Sequence, residues 1–279
     1  MNKTERRLWS KRIDELVEAL RHKGSIAVSF SGGADSSLVA MLANRALGRK
    51  ALAITIDSPL LPAVEIDDAR KIANDIGIKF LMLELNELDI PGFRNNPPQR
   101  CYLCKSYRFE KLIRKATELG FITVADGTTF SDLDEYRPGL KAAKEMGIYS
   151  PLMDAGLSKD ATRIMGNLLG LTAASKPANS CLASRIPYGQ PIEPAKLERI
   201  ARAEGYIRAL TGVKVLRVRD HGDLARIECG QDEINLLLEE AVMHRILQKL
   251  KSLGYEFATL DLEGYRSGGY DRKLQGQQE

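Results

Sequence analysis

A chain of 279 residues can bury one large core or two smaller ones. Its composition, 44% hydrophobic and 28% charged, is that of a globular protein, and no stretch approaches the roughly 20 apolar residues that a membrane span requires. A net charge of +4, from 41 basic and 37 acidic residues, falls short of the dense basic stripe of a dedicated nucleic-acid binder and leaves small anionic substrates open.

The amino-terminal run MNKTERRLWSKR is charged and is not followed by an apolar segment, so it does not read as a secretory signal, and the cytoplasm is the expected compartment. Leu8, Ile13, Leu16, Val17 and Leu20 fall at helical spacing over residues 4–22, and Gly24 breaks the pattern. Residues 25–30 form a short apolar run. A glycine turn, a helical stretch over 36–47 and a second buried-strand candidate at 51–56 follow, which together make a βαβ unit. The alternation continues through a helix around 67–76, a strand at 79–85, a helix at 102–119 and a strand at 121–125. Such an order predicts an α/β fold, a parallel sheet with helices on both faces.

A further helix is expected over 159–169, with Ser158 as N-cap and Gly170 just beyond its end. The stretch KPANSCLASRIPYGQPIEP, rich in Pro, Gly and Ser, reads as a functional loop running into a linker, which divides the chain into domains at 1–187 and 188–279. The second is expected to be a small α+β domain. It would contain a helix at 194–210, strands at 213–219 and 224–229 joined at His221-Gly222, a helix at 232–253 and a last strand at 257–262.

The run Ser31-Gly32-Gly33-Ala34-Asp35-Ser36-Ser37 puts paired glycines and hydroxyls where a strand meets a helix N-terminus. Glycines let the backbone approach an anion, exposed N–H groups and the helix dipole favour its charge, and serine hydroxyls add donors. No GxxxxGK[ST] run is present, so the Walker type of phosphate loop is excluded. A tight strand-to-helix connection without a ligand is the simpler alternative. Thr55-Ile56-Asp57 closes the next strand, where ligands of parallel sheets gather.

Cys101 and Cys104 open the run CYLCKSYRFEKL, after Pro97 and Pro98 and so near a helix start; their spacing puts both sulfurs on one face. The helix dipole and the neighbouring Arg100, Lys105 and Arg108 favour thiolate. With Cys181, in the Pro/Ser-rich loop, they make a candidate three-thiolate metal set, which suits an iron-sulfur cluster with one open iron better than a closed zinc site. A redox pair, or an incidental CxxC with a buried Cys181, is the competing reading. Cys229 ends an apolar strand and reads as a core residue. Arg217 and Arg219 stand two apart on a strand, pointing from one face at about 7 Å spacing, which suits a phosphate or dicarboxylate. With Arg185, beside the loop cysteine, they are the expected substrate-binding residues; a solvated edge strand is the alternative.

The glycine loop resembles the SGGxDS motif of the PP-loop ATP pyrophosphatases, which release pyrophosphate and transfer AMP to an acceptor. That resemblance implies an adenine nucleotide alpha hydrolase-like domain in which Ser31, Gly32, Gly33, Asp35, Ser36 and Ser37 cradle the pyrophosphate portion of ATP. Thr55 and Asp57 would flank the adenosine, Ser29 and Gly127 would complete the ATP-binding set, and Asp35 would be a catalytic carboxylate and a candidate magnesium ligand. The resemblance becomes closer in Asp126-Gly127-Thr128, Asp132, Asp134-Glu135-Tyr136-Arg137-Pro138-Gly139, Ser150-Pro151-Leu152, Lys176-Pro177 and Cys181-Leu182-Ala183-Ser184-Arg185. It continues through LRVRDHGDLAR at 216–226 and DLEGYRSG at 261–268, so that nearly the whole chain is similar to the LarE family.

LarE proteins are ATP-dependent sulfur transferases in synthesis of the nickel-pincer nucleotide. The family implies adenylation of carboxylates on a pyridinium-3,5-dicarboxylate mononucleotide, then sulfur transfer to leave thiocarboxylate. In members with a single loop cysteine, that residue gives up its own sulfur and becomes dehydroalanine; Cys181 matches its position. Cys101 and Cys104 depart from that pattern and resemble the branch with a [4Fe-4S] cluster, whose bound sulfide would come from an unidentified donor. The resemblance also implies a homo-oligomer, with Tyr136 and Arg137 lining the pocket. The rival is a tRNA thiolase of the same superfamily, which would need a basic RNA surface.

Overall fold

The computed structural model describes residues 2–134, 138–177, 180–266 and 270. Tyr136 and Arg137 lie outside the described residues. The chain forms two compact units, Met1–Glu87 with Cys101–Asn179, and Leu88–Arg100 with Ser180–Glu279.

In the first unit, four strands, β1 (Ile26–Ser29), β2 (Ala51–Asp57), β3 (Lys79–Glu84) and β4 (Thr123–Ala125), pair entirely in parallel in the order β3-β2-β1-β4. Crossovers through α2 (Ala34–Leu47), α3 (Ala63–Ile76) and α4 (Arg100–Glu118) allow that order, because parallel neighbours cannot be joined by a tight turn. The period-2 alternation of strand side chains splits the core in two. Ile26, Val28, Ala51 and Ala53 pack with α2, α3, the leading helix α1 (Lys3–Arg21) and a later helix, α7 (Lys159–Leu168). Ala27, Leu52, Ile54, Ile56 and Val124 face the other way, onto Phe109, Leu112 and Ala116 of α4. Helices therefore cover both faces, as the sequence predicts.

α1 begins at a capping box in which the Asn2 side chain accepts from the Glu5 N–H and Glu5 reaches back to the Asn2 N–H. The expected Ser158 cap of α7 is present, accepting from the Ala161 N–H at 3.2 Å. Two short helices, α5 (Pro138–Glu145) and α6 (Pro151–Asp154), were not legible in the periodicity; each opens on a proline, which suits a first helical turn because it has no N–H to satisfy.

The second unit carries α8 (Pro194–Thr211), β5 (Leu216–Asp220), β6 (Leu224–Cys229), α9 (Glu240–Ser252) and β7 (Phe257–Leu260). The sheet runs β5-β6-β7, antiparallel between β5 and β6 and parallel between β6 and β7. The β5–β6 turn uses Gly222 at φ +81°. The helix expected over 232–253 is broken. Gln231–Leu236 is a 3-10 turn held by the Glu233 carboxylate, which accepts from the Lys214 and Val215 N–H groups at 2.7 and 3.0 Å, and α9 starts afresh at Glu240.

Candidate active site

In the first unit β1, β2 and β4 end at one edge of the sheet, and every residue expected to contact ATP lies there. Ser29 ends β1, Thr55 and Asp57 close β2, and Gly127 follows β4. Between β1 and α2, Gly32 takes φ +68°, and a β-carbon on it would stand 2.8 Å from the Ala69 α-carbon. Gly127 is packed so closely that a β-carbon would meet the Ser36 backbone nitrogen at 2.5 Å. The first turn of α2 follows Gly33, which offers no side-chain cap, so its N–H groups face the edge without intrahelical acceptors. The Ser31 and Ser36 hydroxyls lie 3.1 Å apart, and the fully buried Ser37 hydroxyl has no hydrogen-bond partner among the described residues. A cradle of glycines, hydroxyls and helix-end N–H groups fits a polyphosphate. Thr55 instead turns its hydroxyl to the Phe30 carbonyl at 2.7 Å and so braces the edge.

Asp35 accepts from the Thr162 hydroxyl at 2.5 Å. Burial raises its carboxyl above the ordinary aspartate range; the Thr162 bond opposes this, Asp132 adds to it, and Lys159 and Arg163 offset it. Asp132 is itself buried, paired with Lys159 at 2.9 Å and accepting from Thr129. Thr162 and Lys159 were not singled out from sequence, and Asp132 only as part of the family resemblance, since nothing local marks them as neighbours of Asp35. The same holds for the buried Glu87, which accepts from the Ser58 hydroxyl and the Arg108 guanidinium, both at 2.5 Å. Arg108 lies on α4, one turn beyond Cys104 and two beyond Cys101, so it anchors the helix face that carries the two thiols. Cys101 is exposed and Cys104 half-buried.

In the second unit Cys181 is half-buried in the turn leading into Leu182–Arg185, whereas Cys229 is buried in the β-sheet core. Arg217 and Arg219 share a face of β5, and their cross-strand partners on β6 are Glu228 and Arg226 respectively. Arg219 donates to Glu228 at 2.7 Å and to the Ser184 carbonyl at 2.7 Å; Arg226 donates to Glu228 at 3.0 Å. The rings of Tyr265 and Tyr270 lie under the Arg217 and Arg219 guanidiniums at 4.8 and 5.1 Å. Burial, then the nearby Arg185 charge, pushes Arg217 down to about 10, so it is still cationic at neutral pH. Burial alone would lower Arg219 too, but its Glu228 bond raises it. Burial and Arg226 hold His221 below its usual range. Arg226 and Glu228 could have been found in the sequence by extending to β6 the same alternation that singled out Arg217 and Arg219.

Arg185 sits elsewhere in this scheme. It has 0% exposure, and its Nε and Nη2 donate to the two carboxylate oxygens of Glu204 at 2.8 and 3.0 Å. Its Nη1 turns to the Ser180 and Cys181 carbonyls, so the guanidinium is engaged by the protein itself. Burial alone would raise the Glu204 carboxyl; Arg185, Arg208 and the Val218 N–H hold it below the ordinary range. Among the described residues, no group of three or more His, Cys, Asp or Glu side chains gathers as a metal-holding cluster. None of the helices is long and apolar enough to cross a membrane, again among the described residues.

A parallel sheet with an uncapped, glycine-led helix at its carboxyl edge, in a chain with a second small α+β unit, fits the PP-loop class of ATP-utilising enzymes. A family model described as NAD synthase matches residues 8–95, which span β1, the glycine loop, β2 and β3. An uncharacterized protein of Synechocystis sp. is 43% identical over 247 residues, 88% of this chain and 92% of the other. The pyridinium-3,5-bisthiocarboxylic acid mononucleotide synthase of Lactiplantibacillus plantarum is 37% identical over 254 residues, 91% of each chain. A tRNA-specific 2-thiouridylase of Rickettsia felis matches more remotely, 29% identical over 192 residues, 56% of this chain and 52% of the other. The chain belongs to the LarE family of ATP-dependent sulfurtransferases, the family of the Lactiplantibacillus synthase.

Proposed function

We propose that this enzyme adenylates a carboxylate of pyridinium-3,5-dicarboxylate mononucleotide and replaces the departing oxygen by sulfur, giving a thiocarboxylate for nickel-pincer nucleotide synthesis. The observation that carries this reading is the 37% identity to the bisthiocarboxylic acid mononucleotide synthase across 91% of both chains. The chemistry is consistent with it. Carboxylate oxygen is a poor leaving group, so its attack on the α-phosphorus of ATP, with loss of pyrophosphate, converts it into AMP, which a sulfur nucleophile can expel. Ser31, Gly32, Gly33, Ser36 and Ser37 would hold the leaving pyrophosphate, with Ser29, Thr55, Asp57 and Gly127 bounding the rest of the nucleotide. Asp35, in the first turn of α2 beside the glycine loop, would orient magnesium on the phosphates. Arg217 and Arg219 would take the phosphate and carboxylates of the acceptor.

Cys181 is the proposed sulfur-handling residue. Cys101, Cys104 and Cys181 fit a [4Fe-4S] cluster in kind, three thiol donors leaving one iron open, and such a cluster would supply a bound sulfide renewed by a separate donor. Arg108, held by Glu87, would keep the face of α4 that carries two of those thiols in place. The second unit would serve substrate binding and homo-oligomer contacts, and the enzyme would work in the reducing cytoplasm.

Purification without oxygen, followed by iron, acid-labile sulfide and visible absorption measurements, tests the cluster. Wild-type protein is expected to contain iron and sulfide in near-equal amounts, both lost in Cys101→Ala. Cys181→Ala is expected to release pyrophosphate from ATP with the pyridinium acceptor yet form no thiocarboxylate. An iron-free wild type that still forms thiocarboxylate would overturn the cluster and leave Cys181 as its own sulfur source; failure to release pyrophosphate with this acceptor would overturn the reaction.

A further inference from the structure

We propose that Arg185 and Glu204 are positioning residues for Cys181: a fully buried ion pair that fixes the backbone on both sides of the loop cysteine. The proposal rests on the reading of Cys181 as the sulfur-handling residue and adds how that residue is kept in register.

Arg185 and Glu204 are 0% and 1% exposed. Removing both charges from water is costly, and an apolar pair of the same volume would fill the space at lower desolvation cost. What the apolar pair could not supply is directional bonding to the loop. After its two bonds to Glu204, the Arg185 guanidinium still presents Nη1 to the Ser180 carbonyl at 2.6 Å, the Ser180 hydroxyl at 2.9 Å, and the Cys181 carbonyl and Ser184 hydroxyl at 3.0 Å each. The Ser184 hydroxyl and N–H also donate to the Cys181 carbonyl, at 2.8 and 3.0 Å. The peptide groups flanking the sulfur-bearing side chain are therefore held from several directions.

Glu204 extends the hold to the arginine face. It sits on α8, accepts from the Val218 N–H at 3.0 Å, between Arg217 and Arg219, and from Arg208 at 3.3 Å. Arg219 closes a second link to the same loop through the Ser184 carbonyl. One carboxylate thus ties the cysteine loop to α8 and to the strand that carries the expected acceptor ligands. Displacements well under 1 Å at a reacting atom are enough to slow group transfer, and a rigid backing shell prevents them.

The full-length chain would be compared as wild type, Arg185→Lys, Glu204→Gln and Tyr255→Phe. The last removes a different buried contact of the same unit, the Tyr255 hydroxyl bond to Asp220 at 2.9 Å. Measured for each are the melting temperature, pyrophosphate release, thiocarboxylate formation, and iodoacetamide labelling of Cys181 relative to Cys101 in the reduced, metal-free protein. Arg185→Lys and Glu204→Gln are expected to cut thiocarboxylate formation about tenfold or more, the factor that corresponds to about 1.4 kcal/mol, and to change the labelling ratio by a similar factor. Thiocarboxylate formed per pyrophosphate released should fall with it, while the KM for ATP stays within about twofold of wild type. Tyr255→Phe should lower the melting temperature and leave the labelling ratio unchanged. Were Tyr255→Phe to shift the ratio as far, or the two strut variants to melt earlier with ratio and product split unaltered, the pair would be a packing feature and the proposal overturned. Sulfur transfer retained in Cys181→Ala would sink the reading of Cys181 itself, while the labelling ratio would still decide whether the strut holds the loop.

Discussion

Asp35 shows how one side chain carries a stability cost at a functional edge. Its carboxyl is raised above the ordinary range by burial, so the folded protein binds that proton more tightly than the unfolded chain does. The sign follows directly. Below the ordinary aspartate pKa of about 3.9 the group is neutral in both states and costs nothing; as pH rises through that value and on through the raised folded value, the charged form increasingly disfavours the fold. Asp35→Asn keeps an oxygen for the Thr162 hydroxyl and removes the charge. It is expected to melt higher than wild type at pH 7, with an advantage that shrinks as the pH is lowered toward 4, measured by thermal unfolding across pH. Pyrophosphate release by the same variant should be lost. Arg185 teaches the complementary lesson: its position beside Cys181 suggested a ligand for substrate, and only its burial against Glu204, 19 residues on, reveals what its guanidinium faces.

Where two elements meet, the controlling contact is between the end of β4 and the start of α2. Gly127 allows it because it has no β-carbon, and Ser36 stands where one would go. Gly127→Ala must push the helix N-terminus away from the loop. We expect about 1–3 kcal/mol lost in urea unfolding, the usual cost of overpacking. ATP affinity by calorimetry should fall at least about tenfold, since the helix-end N–H groups lose their aim. Elements were also where periodicity misled. The apolar spacing over 232–253 is helical throughout, yet Glu233 is drawn into capping the N–H groups before β5, and the chain leaves the helix for a 3-10 turn before α9 begins. A local pattern reports which face of an element can be buried; it does not report a competing partner elsewhere in the chain.

At the scale of the whole molecule, the division into units is not a single cut along the sequence. Residues Leu88–Arg100 belong to the second unit although they lie between β3 and most of α4, in the sequence of the first. Asn96 fastens them. It is fully buried at φ +52°, its amide donates to the Ile186 and Pro187 carbonyls at 3.2 and 2.7 Å, and its own carbonyl accepts from Gly189. Asn96→Ala removes two donors to those carbonyls and the side-chain acceptor of the Arg100 guanidinium at 2.5 Å, and puts a residue poorly suited to the left-handed region there, so unfolding should cost about 2–4 kcal/mol less than in wild type by urea titration. Asn96→Gly should recover the backbone part alone. Alternation, helical spacing and glycine placement are properties of neighbouring residues, so the parallel α/β sheet, the glycine-led helix start at its edge, the small α+β unit and the family were legible along the chain. The fold alone reveals that Arg185 bonds to the cysteine loop, that Glu87 anchors the thiol-bearing helix through Arg108, that Thr162 bonds to Asp35 with Asp132 nearby, and that 88–100 joins the second unit. Those are pairings between residues far apart in the chain, and which buried charges find partners depends on what the fold brings within hydrogen-bonding distance.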